Sequence, residues 1–93
     1  MLRFDDPNPN KAAENRKKHE GVTFEEAKTV FEDAENLTVS DFESDPSEER
    51  FVMVGMSALA RVLVVVYTDR GGRVRIISAR KATPKEQREY SER

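Results

Sequence analysis

Five arginines, Arg50, Arg61, Arg73, Arg75 and Arg80, flank or occupy consecutive stretches of strand-like sequence. A guanidinium is planar, permanently charged and matches a phosphate with two parallel N–H donors. Several of them on one sheet face would hold an RNA backbone. They would also stabilise charge building on a phosphorus-centred transition state. The competing reading pairs them with Glu25, Glu26, Glu32 and Asp33 of a neighbouring helix. Lys18 and His19 close an earlier helix. His19 titrates near neutrality and suits general acid or base work; a cation there also complements the helix dipole. Tyr90 can stack on a base or donate a proton, or pack onto the sheet. A lone histidine and no cysteine cannot build a His-based or thiolate metal site. There is no Gly-rich phosphate loop, H-E-x-x-H or G-x-S-x-G. The carboxylates read as solvated charge. No metal and no cofactor are expected.

These cations must be positioned by strands. Residues 60–82, ARVLVVVYTDRGGRVRIISARKA, read as a β-hairpin. Val62 to Tyr67 is an unbroken apolar run rich in β-branched residues, which suits a strand covered on both faces and central in its sheet. Gly71-Gly72 supplies the positive φ angles of a tight reversal, and Arg73 to Arg80 returns as the second strand. Arg75 and Arg80 have opposite parity. In a regular strand they face opposite ways, so they share a site only through a bulge or if Arg80 lies past the strand end.

Upstream, Leu2-Arg3-Phe4 reads as a short edge strand. Asp6-Pro7 reads as a helix entry, Asp as N-cap and Pro at the first helical position. That helix runs to about His19 and places Lys11, Asn15 and Lys18 on one face; Gly21 caps its end. Thr23 to Glu26 reads as a capping box, opening a second helix in which Phe24, Ala27, Val30, Phe31 and Ala34 follow the 3.6-residue period. Residues 36–41 form a short strand, 42–49 an acidic loop and Arg50–Met56 another strand. A second capping box at Thr83-Pro84-Lys85-Glu86 starts a C-terminal helix to about Glu92. The order gives an α+β domain: a twisted antiparallel sheet, two N-terminal helices packed on one face, and a short C-terminal helix.

The 93 residues make one domain, 1–93. Charged residues make up 37% of the chain, against the usual ~25%, so the surface is dense in ions. The net charge of −2 hides an asymmetry. Residues 1–49 carry 6 Lys and Arg against 14 Asp and Glu, and residues 50–93 carry 10 against 4. A basic second half leaves a polyanionic partner open; attraction between the halves is the alternative. The start, MLRFDDPNPN, has no apolar signal region, and no apolar run is long enough to span a bilayer. The absence of cysteine fits a reducing cytosol.

The stretch from Asn15 to Ala27, N-R-K-K-H-E-G-V-T-F-E-E-A, resembles the "NxxKHGVsFeeA" signature of the BrnT toxins. Val30-Phe31-Glu32-Asp33, Glu49-Arg50, Gly55, Tyr67-Thr68, the run Arg75-Ile76-Ile77-Ser78-Ala79-Arg80-Lys81-Ala82, Glu86 and Tyr90 continue the similarity in order. Two departures stand out. Phe4-Asp5-Asp6 replaces an aromatic followed by Trp-Asp. Glu20 is inserted between His19 and Gly21, which re-aims the helix end. The resemblance implies a RelE-like fold and a cytoplasmic ribonuclease toxin of a bacterial type II toxin–antitoxin system that inhibits translation and growth. The implied partners are a BrnA-like ribbon-helix-helix antitoxin and an RNA substrate, mRNA free or on the ribosome. Promoter DNA is reached only through the antitoxin, and no membrane is involved. The expected reaction is metal-independent cleavage by attack of a ribose 2′-hydroxyl. Arg50, Arg75 and Arg80 stabilise charge, Lys18 or His19 moves a proton, and Tyr90 positions a base. The alternatives are a non-catalytic, antitoxin-binding co-repressor and a small RNA-binding module outside any toxin system.

Overall fold

The computed structural model describes residues 2–5, 9–18, 21–41 and 49–93. The Asp6-Pro7 helix entry, His19, Glu20 and most of the acidic loop lie outside these residues. The elements are β1 (Arg3–Phe4), α1 (Pro9–Lys18), α2 (Phe24–Val30), β2 (Leu37–Asp41), β3 (Arg50–Met56), β4 (Val62–Arg70), β5 (Arg73–Lys81) and α3 (Pro84–Ser91). One five-stranded sheet has the order β1-β5-β4-β3-β2, so β4, carrying the apolar run, is central.

β2 to β5 form an antiparallel meander. The reversal between β4 and β5 uses Gly71 and Gly72 at φ 62° and 89°, and Asp69 Oδ1 accepts the Gly72 N–H at 2.9 Å. The sheet as a whole is mixed, not antiparallel as expected. β1 pairs parallel to β5, Arg3 opposite Arg73 and Phe4 opposite Val74. Tight turns dictate antiparallel pairing only between consecutive strands. β1 and β5 are separated by most of the chain, so that constraint does not reach them.

The core lies on one face. Val22, Phe24, Ala27 and Val30 pack against Met53, Leu63, Val65 and Ala79. An edge-to-face and stacked chain of rings, Phe4–Phe31–Tyr67–Phe51, extends it, with centroids 5.2, 4.8 and 5.2 Å apart. Gly55 lets α2 come close: a Cβ there would lie 2.7 Å from Val30 Cγ1.

α2 ends at Val30, before the periodic Phe31 and Ala34. Its N-cap is half of the expected box. Thr23 Oγ1 accepts the Glu26 N–H at 3.0 Å, but the Glu26 carboxylate does not reach back. It is buried and accepts hydrogen bonds from Ser57 Oγ at 2.6 Å and Arg61 Nε at 2.7 Å. A charge-assisted bond to a guanidinium outcompetes one to a backbone N–H. These contacts hold the Glu26 carboxyl below the usual carboxylate range, Arg61 foremost and Ser57 with it. The box at Thr83 and Glu86 is complete, with Pro84 in the first turn of α3.

Candidate active site

Opposed residues in a ladder project from the same face, so the register assigns the face opposite the core cluster. Three rows cross it: Leu37–Val54–Val64–Arg80, Val39–Val52–Val66–Ser78, and Asp41–Arg50–Thr68–Arg75. The parity of Arg75 and Arg80 is resolved by a bulge. Val66 pairs with Ser78 and Tyr67 with Ile76, leaving Ile77 as the extra residue in β5. One extra residue reverses the alternation. Arg75 and Arg80 therefore share the outer face, and with it Arg50.

Arg50, Thr68 and Arg75 of the third row line an open cleft of about 220 Å³, bounded also by Lys11, Arg70, Ile76 and Ile77. A neighbouring cleft of about 150 Å³ shares Lys11 and Ile77 and adds Glu14, Asn15, Lys18 and Ser78. Together they make a groove between α1 and the β5 side of the sheet. Cations enter from four elements: Lys11 and Lys18 from α1, Arg50 from β3, Arg70 from β4 and Arg75 from β5. Glu14 lines its rim, and Asp41 stands opposite Arg50 in the third row. The cross-strand neighbours Arg50, Thr68 and Arg75 are spaced by about 5 Å at Cβ, close enough for two guanidinia to address one phosphate.

Asn15 holds this groove together. Its Nδ2 donates to Val22 O at 2.9 Å and Ala79 O at 2.8 Å, and its Oδ1 accepts from Ala79 N at 3.0 Å. Beyond the two residues of β1, the outer edge of β5 has backbone groups to satisfy. The Asn15 amide supplies both a donor and an acceptor to Ala79, as a paired strand would. It thereby fixes α1, and Lys11 and Lys18 with it, against β5.

Of the six residues nominated from sequence, Arg50 and Arg75 meet in the main cleft and Lys18 lines the adjoining one. His19 lies outside the described residues. Arg80 is on the same face but engaged: it donates to both oxygens of Glu86, at 2.8 and 2.9 Å. The Arg80 guanidinium, with help from the Thr83 N–H, pulls the Glu86 carboxyl down to about 2 despite partial burial. Tyr90 is elsewhere. It is 8% exposed, and its hydroxyl donates to Asp33 Oδ2 at 2.5 Å, an oxygen that also accepts the Met56 N–H at 2.8 Å. Arg93 lies over the Tyr90 ring, 4.1 Å from its centroid. Arg61 is held by Glu26 and Arg73 by Asp5.

Tyr90 therefore fastens α3 to the end of α2, and a prediction follows from that placement. Tyr90→Phe keeps the ring and removes the hydrogen bond. It should lower unfolding stability by about 1–2 kcal/mol while leaving any RNA cleavage by the chain within about twofold. Denaturant unfolding beside a cleavage assay checks both halves; a large loss of cleavage at unchanged stability would return Tyr90 to the site.

Lys11, Thr68, Arg70 and Glu14 were not nominated from sequence. The i, i+4, i+7 spacing of Lys11, Asn15 and Lys18 was visible, but not what the face meets. Thr68 is the first polar outer-face residue after Val62, Val64 and Val66, and only the β3 register shows that Arg50 stands opposite. Among the described residues no three His, Cys, Asp or Glu side chains gather as a metal site needs. None of the helices is long and apolar enough to cross a membrane.

Fold and groove define a small α+β protein with a lysine- and arginine-lined groove beside a sheet edge. The chain belongs to the BrnT family: the family model, described as the ribonuclease toxin BrnT of a type II toxin–antitoxin system, matches residues 8–86. Among solved structures it is similar to the ribonuclease toxin BrnT of Brucella abortus, with a TM-score of 0.62, 19% identity, and coverage of 88% of this chain and 95% of that one. A comparison with curated proteins found no match.

Proposed function

We propose that this chain is a metal-independent endoribonuclease toxin acting through the groove between α1 and β5. The observation that carries the reading is the Arg50–Thr68–Arg75 row opening into a cleft shared with Lys11, in a chain of a ribonuclease-toxin family. In the proposed reaction a ribose 2′-oxygen attacks the adjacent phosphorus in line and the 5′-oxygen leaves. The products are a 2′,3′-cyclic phosphate and a 5′-hydroxyl end. The 2′-hydroxyl proton passes to a base and a proton is delivered to the 5′-oxygen. Arg50 and Arg75 stabilise the extra charge on the phosphoryl oxygens, a role that needs donors fixed before the charge develops. Lys11 and Lys18 hold the flanking backbone, and Lys18 or His19 handles the proton. Arg80 joins if its pairing with Glu86 opens.

The same reading makes the fold RelE-like, two helices followed by an antiparallel meander. It gives the chain a ribbon-helix-helix antitoxin as partner, a place in the cytoplasm, and promoter DNA as a target reached only through that antitoxin.

The test is cleavage of free total RNA by the purified protein in EDTA, beside cleavage of mRNA on translating ribosomes in their ordinary magnesium buffer. Cut ends carrying 2′,3′-cyclic phosphate, and complete resistance where the scissile ribose is 2′-deoxy, are expected. Cleavage of free RNA that EDTA abolishes, or cleavage that persists at 2′-deoxy sites, would overturn the mechanism. A second reading draws on the engagement of Arg80 and Tyr90 by Glu86 and Asp33: a co-repressor whose groove takes an acidic antitoxin segment. Tight antitoxin binding without cleavage on either RNA preparation would favour it.

A further inference from the structure

Thr68 is the one member of the cationic row that carries no charge. Its side chain is 1% exposed, and its hydroxyl has no hydrogen-bond partner among the described residues. A buried hydroxyl without a partner has lost its hydration with nothing in return, and native proteins rarely tolerate one without a reason. The position does not call for a hydroxyl. Val64 and Val66 precede it on the same face of the same strand, and valine has nearly its shape. Its place is not neutral either. It stands between Arg50 on β3 and Arg75 on β5, and lines the cleft with Lys11 and Arg70.

We propose that Thr68 is a substrate-binding residue, its hydroxyl donating a hydrogen bond to a non-bridging oxygen of the RNA phosphate held between Arg50 and Arg75. The proposal rests on the reading of this cleft as the RNA site. A phosphate presents more acceptor positions than two guanidinia can fill, and a hydroxyl at the floor addresses the side they leave. The hydroxyl rotates freely and so can follow the oxygen as the geometry at phosphorus changes. The flanking arginines, cross-strand neighbours of Thr68, have long flexible arms, and Arg75 is exposed. Admitting a phosphate therefore requires side-chain rearrangement and no change of fold. Among the described residues the hydroxyl has no partner; the bound phosphate would provide one.

A hydroxyl kept for stability and one kept for a ligand respond in opposite ways to Thr68→Val. The experiment compares the whole chain, Thr68→Val, Thr68→Ser and Arg75→Ala. It measures thermal unfolding and, by fluorescence anisotropy, binding of a fully 2′-O-methylated RNA oligonucleotide that cannot be cleaved. The expected result is an unfolding midpoint for Thr68→Val equal to or above the parent's, with affinity weaker by roughly ten- to a hundredfold, the size of a lost hydrogen bond to a charged group. Thr68→Ser should bind within about threefold of the parent. Thr68→Val that binds normally while Arg75→Ala does not would overturn the role of Thr68 and leave the cleft standing. A lowered midpoint for Thr68→Val would make the hydroxyl structural and overturn it too. Normal binding by both Thr68→Val and Arg75→Ala, or no binding by the parent, would overturn the cleft and this proposal together.

Discussion

Arg75→Ala should reduce RNA cleavage by about 10²–10³-fold, the usual cost of removing one fixed donor from a developing oxyanion. The fold should be nearly untouched. Arg75 is exposed on β5, and exposed substitutions away from caps and buried networks stay within about 0.5 kcal/mol. Arg75→Lys separates charge from geometry. It keeps the cation and loses the two-pronged fork, so recovery to within about tenfold would mean that charge dominates, and recovery of less would mean that bidentate alignment does. Arg50→Ala should have a similar effect on cleavage but a larger one on stability, since Arg50 is half-buried. The two losses should be less than additive if both arginines address the same phosphate. Single-turnover cleavage by the three single variants and the Arg50→Ala/Arg75→Ala double variant, beside denaturant unfolding, reads all of this. An Arg75→Ala protein that cleaves at the parental rate would remove the groove from the mechanism.

The same pair shows where sequence reasoning reached and where it stopped. That Arg75 and Arg80 could share a face only through a bulge, or with Arg80 past the strand end, follows from strand parity alone; the structure uses the bulge, with Ile77 as the extra residue. The glycine hairpin, the central β4 and the complete capping box of α3 were legible for the same reason: each is decided within a few residues of chain. Pairing partners far apart in sequence were not. Arg80 shares the outer face with Arg75, two rows away, yet its guanidinium belongs to Glu86, six residues on. Glu26 matches a capping-box position, yet Arg61, thirty-five residues away, takes its carboxylate. Tyr90 matches a family position and is spoken for by Asp33. A carboxylate's local options are readable from spacing, but the strongest available partner wins, and that partner is set by the folded chain. The half-basic, half-acidic charge pattern is partly attraction within the fold. Glu26 with Arg61, Asp5 with Arg73 and Glu35 with Arg93 join the two halves, while Arg50, Arg70 and Arg75 gather at the groove.

Asn15 opens the family signature and shares a face with Lys11 and Lys18, but nothing in the sequence shows what its amide meets. Its loss is expected to be costly. Asn15→Leu removes all three of its hydrogen bonds and leaves Val22 O and both backbone groups of Ala79 without their protein partner. At about 1–3 kcal/mol for each buried group so abandoned, and with some water reaching the strand edge, the expected loss is about 3–5 kcal/mol. For a domain of this size that is a large share of the total. Because the same amide places α1, cleavage should fall as well even under conditions where the variant is folded, since Lys11 and Lys18 ride on that helix. Asn15→Asp is the sharper variant. Its carboxylate can still accept from Ala79 N, but it faces the carbonyl oxygens of Val22 and Ala79 with no proton to offer. Ionisation is therefore disfavoured in the folded state, and the folded pKa of that aspartate lies above the unfolded value of about 3.9. By linkage, the penalty relative to the parent is full above the folded pKa and shrinks as pH falls, reaching its minimum below the unfolded pKa, where a neutral carboxyl can donate one of the two lost bonds. The difference in unfolding free energy between parent and Asn15→Asp, measured from pH 7 down to pH 4, should narrow with acid, while the difference for Asn15→Leu stays flat. A gap that widens with acid would show that the side chain does not face those carbonyls, and α1 would lose its anchor on β5.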